Sequence, residues 1–533
     1  MNPVGTLDAE HESMKLQNLQ SSPEGQNMSK GSQFGETSLI SRLAAVTLVT
    51  LCIGSQSLAV AQVPNEPVEI KRGVPQFFVD DWLVDNRYAI KYKNNAVVHS
   101  VHPPRKHTAN PVYRGDSGYV NVARHPESGK FQLWTQVSYV VEKPTGRSSR
   151  YAIAYAESDD GLKWNAPNLG LFEWNGSKQN NVVIRGPKNA RASGPQILLT
   201  LPEDQKRGFT YVMTYRTGGA GKEHDGIRLI GSHDGIHWDT ESEVRLKHVH
   251  SDTLNSIVFD ADRNQYFMTC RAKDRYRRFK GQMIDTGASR RISVLTSNSL
   301  WTEWKGHPRA LLTPDEIDAE SHYNFFYGMP VHQFAGIYWG FLWVFRMNDP
   351  IHTELVTSRD GVHWRRSPKR VPLIPLGKDG EWDDGMTFGG PHWIEVGDEW
   401  WFYYAGHDGA HQSRTRNAAI GLATCPKERL VGLHGPGNGG GVVVTRLIKW
   451  PGGDLFVNAA STGDAANLTV RVSDAIRDPI EGFDHEDCIP FSGDAVRHKV
   501  TWNGDRSLDE FEGKVVRLEI FLQNADLFTI TAE

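Results

Sequence analysis

Four carboxylates, Asp116, Asp252, Glu320 and Asp384, each stand just ahead of a short apolar run with the character of a β-strand. If the fold brings such groups together they repel, and their pKa values split: one stays ionised while another keeps its proton. That division suits general acid/base work on a sugar. Near them in the sequence lie His322, Tyr323, Trp382, Asp383, His392 and His407, side chains that can hydrogen-bond to or stack on a polar ligand. Arg271 opens the basic stretch "CRAKDRYRRFKGQ", whose arginine forks suit a carboxylate or sulfate. His322, His392 and His407 are not grouped with one another by an H-x-x-x-H or H-x-H spacing, so no defined metal site is expected among them.

The elements that must carry these residues are marked by a repeat. "SDDGLKW" ends at Trp164, "SHDGIHW" at Trp238 and "SRDGVHW" at Trp364, sharing S-x-D-G-x-x-W. "SNSLWTEW", ending at Trp304, keeps the serine and tryptophan without Asp-Gly, and "GLATCPKERLVG" from Gly421 occupies the fifth place without the motif. The four tryptophans recur at roughly sixty to seventy-five residues, the length of one small sheet with its loops. In the fourth unit "FYGMPVHQF", "IYWGFLWVF", "HTELVTS" and "VHWRRS" read as four successive antiparallel strands. Asp-Gly suits a tight turn, since glycine accepts positive φ and the carboxylate caps backbone amides. The pattern predicts an all-β chain: a five-bladed β-propeller over 62–437, then a β-sandwich accessory domain over 438–533 after the glycine-rich 437–441. In such a blade, Asp160, Asp234 and Asp360 fall in the hairpin between strands 3 and 4, on the face opposite the strand 1 entries. They are therefore read as turn residues, and the chemistry is sought at the entries.

At 533 residues with a formal net charge of −4, the chain offers no general attraction to nucleic acid. Residues 1–61 read as a polar extension followed by a secretory signal: Arg42, the apolar "LAAVTLVTLCIG", and an A-x-A cleavage pattern at Ala59-Val60-Ala61. Secretion or periplasmic export is expected, with no integral membrane segment in the mature chain. Cys270, Cys425 and Cys488 would remain, too far apart for a disulfide framework.

The blade motifs, with "FVDDWLVD", "EWDDGM" and "GLATCPKERLVGL", resemble the five-bladed propeller glycoside hydrolases of families 32 and 43, and more closely the secreted bacterial proteins described as family 32-like. The resemblance implies hydrolysis of glycosidic bonds in a poly- or oligosaccharide, furanosidic or anionic, by carboxylates in an axial pocket. No cofactor is required, although a structural calcium ion has room in an axial channel. Family 32's W-M-N-D-P-N-G is missing from the first blade, R-D-P from the second and E-C from the third, so the site assignment rests on blade geometry. It makes Asp116 the general base or nucleophile, Asp252 the group that orients substrate, Glu320 the general acid and Asp384 its reserve. The alternatives are a non-catalytic glycan-binding propeller and a sialidase-like hydrolase, the latter needing three arginines on a carboxylate and a tyrosine nucleophile.

Overall fold

The computed structural model describes residues 66–533, apart from 86–96, 116–117, 145, 220, 222, 247–250, 273–275, 280–281, 286–289, 303, 305–310, 321–324, 347–349, 414–415 and 464. The signal-like segment at 1–61, Asp116, His322 and Tyr323 lie outside the described residues. The chain is nearly all-β: among the described residues one α-helix occurs, Glu316–Glu320, and no helix is long and apolar enough to cross a membrane.

Five antiparallel strand groups, called sheets below, follow one another, the fourth and fifth being joined by one parallel bridge, Ile351 to Met386. The first runs Val120–Arg124, Phe131–Lys143, Gly146–Ser158 and Val182–Ile184; the second runs Arg191–Ile197, Tyr211–Gly218, Gly226–Ser232 and Trp238–Arg245. The third has Ser256–Asp260, Gln265–Arg271 and Ile292–Ser297. The fourth is built on Phe325–Gly328, Ile337–Phe345 and Ile351–Ser358, with Arg365–Arg366 and Pro372–Ile374 outside. The fifth takes Met386–Gly389, Glu399–His407 and Ala418–Pro426, and its outer positions are filled by Arg105–Lys106 and Tyr113–Arg114, from ahead of the first sheet.

Buried side chains join these sheets in a cycle. Trp134 and Ile153 of the first meet Tyr211 and Met213 of the second. Leu229 of the second meets Met268 of the third, and Phe267 of the third meets Leu342 of the fourth. Phe341 of the fourth packs with Phe402 of the fifth, whose Trp401 and Tyr403 return to Phe131 and Leu133 of the first. Each contact buries apolar faces on both sides of a strand, which explains the near-continuous hydrophobic run Ile337–Phe345, buried throughout.

The repeated motif behaves as a turn. Asp360 Oδ1 accepts from the amides of Val362 at 2.8 Å and His363 at 2.7 Å, while Ser358 Oγ accepts from Gly361 N at 2.9 Å. The Asp160 and Asp234 turns repeat these bonds. For Asp234 burial works against ionisation, yet His237 and the turn amides outweigh it and hold the carboxyl at about 2. The glycine is required twice over. Gly361 has φ +75°, and a Cβ there would lie 2.5 Å from Cε2 of Phe267 on the preceding sheet; Gly161 and Gly235 face Tyr403 and Trp134 in the same way. Gly361→Ala is expected to destabilise the protein by about 2–4 kcal/mol, from αL strain plus overpacking. Chemical denaturation checks this, and an unchanged midpoint would disprove it.

The two imperfect copies of the motif now have a cause. The fifth sheet lacks it because its outer strands come from 105–114, leaving no local hairpin to turn. The third sheet has three strands among the described residues, and Trp304 is buried between it and the second.

Two further sheets share one core that includes Trp450, Trp502 and Leu518. One contains Val98–Val101, Val431–Gly435, Ala525–Ala532, Leu455–Ser461 and Asp494–Lys499, with Gln76–Phe77 on Ala525–Ala532. The other contains Val68–Glu69, Ile448–Lys449, Val515–Gln523, Gly441–Val444 and Asn467–Ser473. Strands from both ends of the described chain thus pair in each. Cys270, Cys425 and Cys488 are buried in three different cores.

Candidate functional site

Inner strands begin, and second strands end, at the same end of each sheet; the Asp-Gly turns after the third strands lie at the other. At the first of these ends a cavity of about 500 Å³ receives residues from all five sheets. Gly118 and Tyr119 enter from just ahead of Val120–Arg124, Asp252 and Thr253 from just ahead of Ser256–Asp260, and Tyr327 from within Phe325–Gly328. Arg216 and His407 arrive near the ends of second strands, and His411 and Arg416 on the loop that follows His407.

Asp252 is the one carboxylate in this lining among the described residues. Its Oδ2 accepts from Arg271 Nη1 at 2.8 Å, and its Oδ1 lies 3.6 Å from Arg216 Nη1. Burial pushes its carboxyl up, but the Arg271 and Arg216 guanidiniums outweigh burial and leave it below the usual 3.8, hence ionised at neutral pH. The side chain is still 62% exposed, so its charge can reach a ligand. The loop is tightly fixed. Ser251 Oγ accepts from Arg271 N at 2.9 Å, Ser251 O accepts from Arg216 Nε at 2.9 Å, and Thr253 Oγ1 is 3.2 Å from Tyr119 Oη. Thr253 has φ +75°, a conformation that costs a β-branched residue energy and that is concentrated at functional sites.

The remaining walls are aromatic and cationic. Tyr119 stacks on Trp343 at 5.3 Å with a 5° interplanar angle, and burial, then Tyr327, raises its hydroxyl well above the ordinary 10.0. Tyr327 Oη bonds His411 Nε2 at 3.0 Å, and Arg271 and Arg290 lie 5.1 and 5.2 Å from its ring centroid. Burial lowers His407 to about 3, with Arg416 adding to it; burial and then Arg290 lower His411 to about 4. Both imidazoles are neutral at neutral pH and serve as hydrogen-bonding groups.

Of the residues singled out by sequence, Asp252 and His407 line the cavity and Arg271 supports it from behind. Glu320, Trp382, Asp383, Asp384 and His392 do not line it, and Asp116, His322 and Tyr323 lie outside the described residues. Glu320 is exposed at the end of the helix Glu316–Glu320. Asp383 is buried against Lys106 Nζ at 2.6 Å and Tyr404 Oη at 2.8 Å, because the strand from 105–106 delivers a cation into the fifth sheet. Trp382 stacks on Tyr404, and Asp384 Oδ2 caps Gly380 N at 2.7 Å, a turn role. His392 is buried with Nε2 2.6 Å from Val122 O. Arg191, Arg216, Tyr119, Tyr151 and Tyr327 line the site without having been singled out for it, although "NARASG" and "SGYVNV" mark two of the strand entries. Among the described residues no group of three or more His, Cys, Asp or Glu is arranged to hold a metal ion.

A larger cavity, about 800 Å³, lies where the fifth sheet meets the terminal sheet that contains Leu455–Ser461, Asp494–Lys499 and Ala525–Ala532. Much of its charge is already paired: Arg429 with Asp494 at 2.6 Å and Arg497 with Glu533, while Glu428 accepts from Thr529 Oγ1 at 2.7 Å. The five-sheet cavity has the unmatched charge and is the candidate site.

No protein-family model and no curated protein sequence matches the chain. Among solved structures it is similar to an N-acetylgalactosamine deacetylase from F. plautii in complex with blood group B trisaccharide, at 16% identity over 62% of this chain and 96% of that one, TM-score 0.39. It is also similar to a glycoside hydrolase family 43 arabinoxylan arabinofuranohydrolase from Bacillus subtilis in complex with cellotetraose, at 11% identity over 81% and 99%, TM-score 0.38. A family 43 protein from Bacillus licheniformis gives 12% identity over 81% and 99%, TM-score 0.39.

Proposed function

We propose that this chain is an exported glycoside hydrolase whose catalytic domain is a five-bladed β-propeller, beside a β-sandwich that takes strands from both ends of the described chain. The cyclic packing of five sheets, with strands from 105–114 completing the last, supports the propeller; the two sheets around the Trp450 and Trp502 core support the sandwich. The observation that carries the function is Asp252: an ionised, accessible carboxylate in a cavity to which every sheet contributes.

An oxocarbenium-like transition state develops positive charge on the sugar ring, and a fixed carboxylate beside it stabilises that charge more than the neutral ground state. Asp252 fits this role, or that of nucleophile or base. It is unsuited to be the acid, since Arg271 and Arg216 keep its proton off. The second carboxylate is assigned to Asp116 from the sequence, because the next described residues, Gly118 and Tyr119, line the cavity. Glu320, exposed at its helix end, and Asp384, which caps Gly380 N, are less suited to the acid's role. Tyr119 and Tyr327 supply ring faces for stacking on a sugar.

The sialidase-like reading gains Arg191, Arg216 and Arg416 in one lining. It loses its nucleophile at Tyr119, whose hydroxyl burial keeps protonated and which bonds Thr253, not an acidic residue. The test is a panel of plant and algal polysaccharides assayed for new reducing ends. Release of sugars from at least one substrate is expected. Tight binding with no release across the panel would replace the hydrolase with a glycan-binding propeller.

A further inference from the structure

The cavity lining holds three arginines, Arg191, Arg216 and Arg416, against the single described carboxylate of Asp252. Arg271, at 2.8 Å, already engages Asp252 more closely than Arg216 does at 3.6 Å. Arg191 has no carboxylate partner among the described residues, and its guanidinium lies 5.7 Å from the Tyr151 ring centroid. Arg416 donates from Nη1 to a carbonyl, His411 O, at 2.6 Å, and pairs with no carboxylate among the described residues.

Local sequence builds this cluster. Antiparallel pairing sets Arg191 opposite Gly218 and Ser193 opposite Arg216, so Arg191, Ser193 and Arg216 share one face of the second sheet. Gly218 and Gly219 supply no side chains to compete: a Cβ on Gly218 would sit 2.7 Å from Arg216 Nη1, and one on Gly219 3.1 Å from Arg191 Nη2. The two guanidiniums therefore rest against consecutive glycines in one cavity lining. Nearby, His407 Nδ1 and Gln136 Oε1, both in the lining, are buried without hydrogen-bond partners among the described residues. A neutral glycan would leave the arginine charge unanswered in a recessed site; a planar or tetrahedral oxyanion matches adjacent arginine forks.

Resting on the glycoside-hydrolase reading above, we infer that the cavity selects an acidic glycan, with a sugar carboxylate or sulfate seated against Arg191 and Arg216 and Arg416 completing the cationic lining. Asp252, sharing Arg216 with that anion, places the acidic substituent on the residue next to the one being processed or on that residue itself.

The experiment is calorimetric titration of the full chain with oligogalacturonate and with oligosaccharides of a sulfated galactan, each beside its neutralised counterpart, methyl-esterified or desulfated. Binding of one charged series at least tenfold tighter than its counterpart is expected, weakening with salt, and Arg191→Gln should reduce it by roughly tenfold. The two arms distinguish carboxylate from sulfate. Should Arg191→Gln fail to fold, Arg416→Gln, on an exposed loop, reads the same loss. Neutral counterparts bound as tightly as the charged series, no binding of either series, or a folded arginine variant that binds as wild type would overturn the inference. Cleavage of neutral glycans alone would also overturn it while leaving the hydrolase reading intact. Charged glycans bound and never cleaved would support it and sink the hydrolase reading instead.

Discussion

Asp252→Asn is expected to lower turnover by roughly 10²–10⁴-fold while the melting temperature stays within a few degrees of wild type. The substitution removes the charge and keeps the shape, at a side chain 62% exposed, so little packing is lost. Binding should survive, because removing a negative charge from a lining with three arginines does not weaken their hold on a ligand. A folded variant with undiminished turnover would remove Asp252 from the mechanism.

The same residue sets a pH dependence. Its carboxyl lies below the usual 3.8, since Arg271 and Arg216 outweigh the effect of burial. The active, ionised form therefore persists above that depressed value and is lost only as the pH falls through it. The acidic limb contributed by Asp252 should lie below pH 3.8, and Arg216→Gln should move it upward by removing one of the two compensating charges. An acidic limb that ignores Arg216 would mean that another group governs it.

Sequence carried the turn chemistry well because it is local. Ser, Asp, Gly and Trp within seven residues contain their own hydrogen bonds, so Ser358–Trp364 reads the same in the sequence and in the structure. Strand entries were legible for the same reason, and counting from the turns led to Asp252. Choosing among the entries required contacts that no window contains. Asp383 looks identical to a catalytic acid until Lys106, 277 residues away, is seen to neutralise it. Arg191 and Arg216 look like ordinary surface charges until the strand register sets them over two glycines. Nor does periodicity say that 105–114 completes the fifth sheet, since a two-residue strand carries no alternation to read.

That long-range closure makes the fold vulnerable at a point far from the cavity. Asp85 and Arg517 form a buried ion pair, Oδ2 to Nη1 at 2.8 Å, with side chains 6% and 2% exposed. Arg517 Nη1 also donates to Thr445 O at 2.6 Å, and Asp85 N donates to Val444 O at 2.8 Å. The pair thus fastens the N-terminal segment to the central strand Val515–Gln523. Arg517→Met takes the Arg517 guanidinium away from the buried Asp85 carboxylate, and a loss of roughly 3–5 kcal/mol is expected. Replacing both partners, Asp85→Leu with Arg517→Met, should recover most of it, because desolvation of two charges cancels much of what their attraction gains. Denaturant midpoints of the single and double variants check this, and a double variant as unstable as the single would show that the ions contribute more than their mutual neutralisation. The segment that Asp85 anchors continues to Arg105–Lys106 and Tyr113–Arg114, the strands that complete the fifth sheet and supply Lys106 to Asp383. Arg517→Met should therefore speed amide exchange along 418–426, in a sheet to which Arg517 does not itself belong.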